Sequence, residues 1–370
     1  MIRIQLNEAN FEYDIYSLVK AFFPREEIVI TCVDQLNTSD VTPQEDLSSC
    51  DVFCETKYEA DKISFTYGNR ATVCTKIDAL DRRDTKNKLK KLIYEELSDI
   101  TKKTLPWGTL TGIRPTKIAL GMVDEKKTDE EIRNFMQTTY LTSEDKMNTS
   151  IQIARREADI LSRFAYNQGY SIYIGIPFCP SICLYCSFSS YPLSIYQTKV
   201  DAYLDALEKE IIYTGSSLSS KPLHSIYIGG GTPTSLNAQQ MDRLLSMIDK
   251  YLDTSHLLEI TVEAGRPDSI TRDKLEVIKA HGIDRISINP QSMNQKTLDL
   301  IGRHHSVEQI WDTYHLARDI GFRHINMDLI IGLPGETKED IAYTLDQIND
   351  MKPDNLTVHS LAMKRSARLH

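Results

Sequence analysis

The chain has 370 residues, 41% of them hydrophobic, and its formal net charge at pH 7 is −9. This length predicts two or three folded units. The negative charge argues against a large nucleic-acid-binding surface, which needs many lysines and arginines. We find neither a signal-peptide pattern nor an apolar run of membrane-spanning length, and therefore expect a cytoplasmic protein with no membrane or nucleic-acid partner.

The pattern of residues 1–104 predicts a small α+β accessory domain. Alternating apolar residues indicate a strand at Ile2–Leu6, and helices are expected near residues 11–23 and 81–103. Short β-branched or aromatic segments predict further strands at residues 28–33, 52–57, 62–67 and 71–77. Between them, the polar residues 37–49 predict a loop.

Residues 105–168 predict a linker and a helical segment, in which helices continue through residues 128–167 and Thr128-Asp-Glu-Glu is a start signal. From residue 169 onward, apolar strands alternate with amphipathic helices. The strands are predicted at residues 171–176, 224–229, 258–263, 284–288, 323–331 and 355–360, and the helices at 195–213, 238–252, 270–281, 294–319 and 337–350. This alternation predicts an α/β fold with a parallel sheet, either a (β/α)6 partial barrel over residues 169–370 or an open doubly wound sheet.

Three cysteines, Cys179, Cys183 and Cys186, have the spacing Cys-x3-Cys-x2-Cys, with no fourth cysteine nearby. Three thiolates on a [4Fe-4S] cluster leave one iron open to another ligand. Zinc is less favoured because a structural site takes four ligands and the nearest histidine, His224, is distant. Seven cysteines are too sparse for a disulfide framework, and the remaining four are expected to be reduced, buried, small apolar residues: Cys32, Cys50, Cys54 and Cys74.

Glycine and polar residues follow the predicted strands, where both α/β architectures bind ligands. The run from Gly229 to Thr234 would let backbone approach a ligand closely. Glu263 and Asp328 end two other strands, where an ion pair or a helix cap is an equally good interpretation. Arg303 is a cation that could bind a carboxylate in a bidentate fork.

The cysteine spacing resembles the radical S-adenosylmethionine (SAM) superfamily. With it, the motifs Gly-Gly-Gly-Thr-Pro-Thr, Ile-Asn-Pro-Gln-Ser-Met-Asn, Gly-Arg-His-His and Asp-Leu-Ile-Ile-Gly-Leu-Pro-Gly-Glu-Thr resemble the oxygen-independent coproporphyrinogen III oxidase family. The segments beginning Trp107-Gly-Thr-Leu-Thr-Gly and Val358-His-Ser-Leu most resemble its HemZ-type coproporphyrinogen dehydrogenases. The resemblance spans roughly residues 105 to 370. It implies the (β/α)6 partial barrel, a [4Fe-4S] cluster, and one or two molecules of SAM.

The resemblance also implies roles for individual residues. The three cysteines would ligate the cluster, and Tyr173 would join them at the catalytic centre. Tyr173, Gly230 and Glu263 would contact one SAM molecule, and Tyr185 would lie against an adenosyl group. Positions that hold a second SAM in the family are occupied here by Gly231, Thr232, Gln291, Arg303, Asp328 and Ala362. His304 and His305 could relay protons or lie on a surface loop.

Three features depart from the family pattern. Gly175 replaces a usual histidine, and Phe188 replaces a non-ligating cysteine of the true oxidases. Relatives with phenylalanine at that position include haem-binding chaperones. The sequence ends at His370, soon after the sixth predicted strand, so we expect the family's C-terminal domain to be absent.

The function implied is oxidative decarboxylation of coproporphyrinogen III propionates to vinyl groups, within haem biosynthesis. The alternatives are a haem-binding trafficking protein that retains the cluster and a radical SAM methyltransferase that modifies haem. Expected partners are a porphyrinogen or haem substrate and a reductant such as flavodoxin or ferredoxin. A basic group could bind substrate carboxylates, although a solvated helix end is the favoured interpretation: Trp107, Arg114, Lys117, Lys102 and Lys103.

Overall fold

The computed structural model describes residues 1–32, 52–112, 114–164, 166–362 and 367–369. The chain divides into two compact units, Met1–Phe164 and Ala165–His370. Within the described ranges, no helix is both long and apolar enough to cross a membrane. The loop predicted at residues 37–49 and Cys50 lie outside the described residues. Cys32 and Cys54 are buried as predicted, whereas Cys74 is exposed, so the prediction of burial is wrong for Cys74.

The N-terminal unit contains a five-stranded sheet in the order β2-β1-β3-β4-β5. Its strands are β1 Ile2–Leu6, β2 Ile28–Cys32, β3 Val52–Tyr58, β4 Lys62–Tyr67 and β5 Val73–Lys76, and its first helices are α1 Glu12–Phe22 and α2 Arg82–Thr101. β1 alternates buried and half-buried residues, because one face of the sheet packs on the helices through Ile2, Ile4 and Leu6. The strands and helices predicted for this unit are therefore present in the structure.

A second, smaller apolar cluster in the same unit joins three helices, α3 Pro115–Asp124, α4 Asp129–Tyr140 and α5 Glu144–Ser162. The start signal at Thr128 is a complete capping box with Glu131. Leu141 lies in the left-handed region, with φ 57°, and separates α4 from α5. The helices predicted over residues 128–167 are therefore α4 and α5, and the second of them ends at Ser162.

The C-terminal unit is built on a parallel sheet of six strands, in the order β13-β12-β11-β10-β9-β6. The long strands are β6 Tyr170–Ile176, β9 Leu223–Gly230, β10 Glu259–Gly265, β11 Arg285–Gln291, β12 His324–Ile331 and β13 Asn355–Ser360, and a short pair is β7 Phe178–Cys179 with β8 Tyr191–Pro192. Each long strand lies beside the next one in the chain. This order confirms the partial barrel, since a doubly wound sheet reverses its strand order at one point.

Helices α6 Leu193–Tyr196, α7 Val200–Ser217, α8 Ala238–Tyr251, α9 Arg272–Ala280, α10 Gln295–Leu300, α11 Val307–Ile320 and α12 Lys338–Met351 connect these strands. The prediction of one helix over residues 294–319 is wrong. Gly302, with φ 76°, follows the end of α10, and a capping box of Ser306 and Gln309 starts α11. The intervening loop carries Arg303 and His305 into the interior.

Candidate active site

The three motif cysteines lie around one cavity of about 280 Å³, which we call the carboxyl-end cavity because the carboxyl ends of β9 to β13 line it. Cys179 and Cys183 are buried, and Cys186 is half-buried. The Thr232 hydroxyl donates a hydrogen bond to Cys179 Sγ over 3.5 Å. Burial raises the pKa of the Cys179 thiol, and the Thr232 hydrogen bond opposes that rise.

Most of the other predicted cofactor-binding residues also line this cavity: Tyr185, Gly230, Gly231, Thr232, Glu263, Gln291, Arg303 and Asp328. Two predicted residues do not line it. Tyr173 is 63% exposed, and Ala362 is an exposed residue beyond the end of β13. The fold thus gathers residues that are up to 149 positions apart, from Cys179 to Asp328, at one edge of the sheet.

The glycines at the end of β9 allow the backbone of this strand to lie close to the cysteine loop. A Cβ at Gly231 would lie 2.7 Å from the Phe178 carbonyl oxygen and 2.9 Å from Cys179 Sγ. Gly230 has φ 107°, and a Cβ there would lie 3.0 Å from backbone atoms of Ile176. A side chain at Gly231 would therefore occupy the space beside the thiol.

The cysteine arrangement fits a [4Fe-4S] cluster. Among the described residues, no three His, Cys, Asp or Glu side chains converge closely enough to hold one metal ion. A cubane differs from a single ion because each thiolate binds a different iron. The cavity that the three cysteines line, with about 280 Å³, provides space beside the thiols for such a group.

Two stacked tyrosines lie next to the half-buried carboxylate of Glu263. The ring of Tyr173 stacks on Tyr227, with centroids 5.8 Å apart, and the Tyr227 hydroxyl donates to Glu263 Oε1 over 2.5 Å. Burial raises the pKa of Glu263, the Tyr227 hydrogen bond opposes this, and the charge of Asp328 adds to it. Asp328 itself accepts a hydrogen bond from Asn326 Nδ2 at 2.7 Å. Sequence reasoning did not identify Tyr227, which holds the Glu263 carboxylate in one orientation.

Buried polar atoms along the cavity have no partner within the part of the chain that the structure describes. They are Asn289 Oδ1, Gln291 Oε1 and Arg303 Nε. Arg303 is 4% exposed and donates through Nη1 to the Asn289 carbonyl, while Gln291 has an unusual φ of 68°. Because buried polar groups are nearly always hydrogen-bonded in folded proteins, these atoms indicate that a polar ligand belongs in the cavity.

Tyr185 and His305 lie close to Arg303. Burial raises the pKa of Tyr185 to about 12, although the charge of Arg303 acts in the opposite direction. His305 is fully buried, and its pKa is lowered to about 4, first by burial and then by Arg303. The surface-loop interpretation is therefore wrong for His305, whereas His304 is exposed.

Arg266 lines the carboxyl-end cavity and was also missed by sequence reasoning. It is 2% exposed and lies directly after β10. Its Nη1 is 3.7 Å from Cys183 Sγ. The one available signal was a Gly-Arg-Pro-Asp turn two residues after Glu263, at the edge where the other functional residues were expected.

The basic group predicted near residues 102–117 belongs to the N-terminal unit. Lys102 pairs with Asp99 at 2.8 Å, and Lys103 Nζ donates to the Phe22 carbonyl at 3.3 Å. Arg114 and Lys117 are exposed, and the Lys146 ammonium lies 5.7 Å from the Trp107 ring centroid. The positions of Lys102 and Lys103 agree with a solvated helix end.

Comparison with known proteins identifies the C-terminal unit. Residues 173–348 match the family model of the radical SAM superfamily. This region is a radical SAM domain. The resemblance predicted from the motifs is thereby confirmed, and so is the expectation of a [4Fe-4S] cluster and SAM, the two cofactors that this superfamily uses.

The chain is similar to three named kinds of protein. It is 40% identical over 291 residues to the oxygen-independent coproporphyrinogen-III oxidase-like protein HemZ of Bacillus subtilis (strain 168). This match covers 78% of this chain and 58% of the relative. It is 39% identical over 195 residues to the heme chaperone HemW of the same organism, over 52% of this chain and 51% of the relative. It is 36% identical over 192 residues to the oxygen-independent coproporphyrinogen III oxidase of Escherichia coli (strain K12), over 52% and 42% respectively.

Among solved structures, coproporphyrinogen III oxidase (HemN) from Escherichia coli matches with a TM-score of 0.49 and 34% identity, over 55% of this chain and 46% of that one. The chain spans between about two fifths and three fifths of the length of the curated relatives it matches. These relatives carry both oxidase and chaperone names, so the similarity establishes the radical SAM domain and leaves the specific activity to be argued from the site.

Proposed function

We propose that Cys179, Cys183 and Cys186 hold a [4Fe-4S] cluster and that the protein uses it with SAM to convert propionates of coproporphyrinogen III to vinyl groups. The observation that carries this proposal is the carboxyl-end cavity, which combines three thiols, a glycine edge and buried polar atoms without partners. The HemZ and oxidase relatives support the choice of substrate.

When bound, the reduced cluster and SAM supply hydrogen-atom abstraction from unactivated carbon. Each propionate then loses one hydrogen atom, one CO2 and one electron to become a vinyl group, so an external one-electron acceptor is required. The protein's own contribution is to bind, orient and shield the reactants.

The residues around the cavity suit that task. Glu263, oriented by Tyr227, presents a carboxylate to the ammonium group of SAM. Gln291 Oε1 and Arg303 Nε are the acceptor and donor that remain to be satisfied, and they match the hydroxyls and the carboxylate of such a ligand. Ile182, Ile330 and Phe188 give the same cavity apolar walls.

The proposal is tested by anaerobic incubation of the reconstituted protein with SAM, a one-electron reductant and coproporphyrinogen III. We expect decarboxylated products with one or two vinyl groups, together with 5′-deoxyadenosine, by mass spectrometry. The same incubation with the Cys183→Ser variant should give neither. Formation of 5′-deoxyadenosine without any decarboxylated porphyrinogen would contradict the substrate while leaving the radical SAM domain intact.

A second candidate, haem binding without turnover, is favoured by Phe188. This aromatic side chain is 73% exposed and lines the cavity, where it offers a flat apolar surface. The HemW relatives support this candidate. It predicts stoichiometric haem binding that Phe188→Ala weakens, whereas Tyr213→Ala, which removes an equally exposed aromatic residue from α7, leaves the haem spectrum unchanged.

A further inference from the structure

Arg266 joins the cysteine loop to the sheet through a buried network. Its Nε and Nη2 donate to the two carboxylate oxygens of Asp268, at 2.9 and 2.6 Å. Its Nη1 donates to the carbonyl and the hydroxyl of Ser181, at 3.0 and 2.8 Å, and lies 3.7 Å from Cys183 Sγ. Ser181 lies two residues before Cys183, so one guanidinium holds both the loop and the thiol.

The network keeps a full positive charge beside Cys183. Burial acts to raise the pKa of Asp268, but the hydrogen bonds and the charge of Arg266 outweigh it, and the pKa lies below its ordinary value. The carboxylate is therefore ionised at neutral pH and compensates the buried guanidinium, which would otherwise be costly. Because Asp268 occupies Nε and Nη2, Nη1 is directed at the cysteine loop.

The other two cysteines have a different environment. Cys179 accepts a hydrogen bond from the neutral hydroxyl of Thr232, and the backbone of Phe188 donates to Cys186. Within the part of the chain that the structure describes, cationic side chains hydrogen-bond a motif sulfur only at Cys183, where Arg303 joins Arg266. The charges of Arg266 and Arg303 also act on Cys179 and Cys186, but their direct contacts to sulfur are at Cys183.

We propose that Arg266 is a positioning residue that fixes the Cys183 segment and raises the reduction potential of the cluster bound there. The inference rests on the proposed cluster ligation by Cys179, Cys183 and Cys186. Reduction adds one electron, taken from an external one-electron donor, and so adds one negative charge to the cluster. A cationic donor at a ligating sulfur stabilises that charge, since hydrogen bonds to sulfur and net charge are established controls of cluster potential.

The test is a potentiometric EPR titration of the reconstituted protein without SAM. Two variants are compared: Arg266→Gln removes the positive charge, and Arg266→Lys keeps the charge but loses the several N–H donors of the guanidinium. The control is Arg272→Gln, which removes an exposed arginine of α9. We expect a lower midpoint potential for Arg266→Gln, a smaller decrease for Arg266→Lys, and no change for Arg272→Gln. Iron content and circular dichroism are measured on every sample.

Because Arg266→Gln leaves Asp268 as an uncompensated buried charge, the double variant Arg266→Gln/Asp268→Asn removes both partners. A fully loaded cluster with the potential of the Arg272→Gln control, in either the single or the double variant, would overturn the proposal. A folded double variant that no longer retains iron would support the positioning role. Failure of the unmodified protein to bind any cluster would instead refute the proposed function on which this inference rests.

Discussion

The polar side chains at the two ends of the six-stranded sheet differ in exposure and in pairing. At the amino end, charged residues form exposed or half-exposed pairs: Asp284 contacts Lys279 and Arg323, and His281 lies between Asp242 and Asp249. At the carboxyl end, Arg303, Gln291 and Asn289 are buried and carry atoms with no partner in the described ranges.

The comparison shows that polarity or cavity size alone does not identify a functional site. The groove at the amino end is the larger one, about 580 Å³ against about 280 Å³. Its charged residues are already paired and close to water, so no further ligand is needed to satisfy them. The carboxyl end bears the unfavourable free energy of buried unpaired groups, which a bound ligand would recover.

The largest expected effect comes from removing a cluster thiol. Cys183→Ser should abolish iron retention and 5′-deoxyadenosine formation, because the hydroxyl is a poor ligand for iron. Anaerobic iron analysis and product analysis check this result. The matched control is Cys74→Ser, which alters an exposed cysteine of β5 and should retain the full iron content.

The second largest effect is expected on SAM affinity, and it should distinguish two carboxylates of β10, Glu263 and Glu259. Glu263→Gln, at the carboxyl end of β10, should weaken SAM binding about 10- to 100-fold, the usual cost of losing a hydrogen bond to a charged partner. Glu259→Gln, at the amino end of β10, should have no effect on SAM affinity, since Glu259 is 53% exposed and pairs with Arg285. Calorimetric titration of SAM checks both. Equal losses in the two variants would contradict the assigned polarity of the sheet ends.

The histidines at the two ends should respond to pH with opposite sign. His305 has a pKa of about 4 in the folded protein against an ordinary 6.5. As the pH falls, this histidine is therefore protonated in the unfolded chain at a higher pH than in the folded protein. The stability that depends on neutral His305 should therefore decrease by about 3 kcal/mol between pH 6.5 and 4. His305 is surrounded by Arg303, Asp268, Arg266 and His304, of which only Asp268 favours protonation.

For His281, burial acts to lower the pKa, but Asp249 and Asp242 outweigh it and the pKa is raised. Its contribution is present below pH 6.5 and is lost as the pH rises through the folded pKa. Urea unfolding of His305→Gln and His281→Gln across this range should show opposite changes in pH dependence relative to the unmodified protein. Changes of the same sign would contradict the difference between the two ends.

The smallest effect is expected at an exposed ion pair of the amino end. Arg323 is 76% exposed where it pairs with Asp284, and Lys279 contacts the same carboxylate. Arg323→Gln should lower the free energy of unfolding by less than about 1 kcal/mol, because solvent screens such pairs. Urea unfolding at neutral pH measures this change, and a loss of several kcal/mol would show that the amino end is more strongly coupled than its exposure indicates.

The sequence was sufficient to predict the strands of the sheet and the edge at which the site lies. Apolar runs that end in glycine or polar residues mark each strand, as in the segment from Tyr227 to Thr234. Parallel connectivity then places all the carboxyl ends together. The three cysteines were identifiable because their spacing is local.

What escaped prediction depends on contacts between residues distant in the chain. Arg266 and Cys183 are 83 positions apart, and Tyr227 and Glu263 are 36 positions apart, so no local pattern reports either hydrogen bond. The break after α10 depends on a single left-handed glycine, Gly302, within an otherwise helical pattern. The burial of His305 follows from that break, and the sequence alone did not show whether this histidine is buried or exposed.

The central claim is that three cysteines hold a cluster with one iron open to SAM. The most direct measurement is the EPR spectrum of the anaerobically reconstituted, reduced protein, recorded before and after addition of SAM. We predict the signal of a reduced [4Fe-4S] cluster whose g-values shift when SAM is added. A reduced cluster whose spectrum is unchanged by saturating SAM, or a protein that binds no cluster at all, would contradict the account.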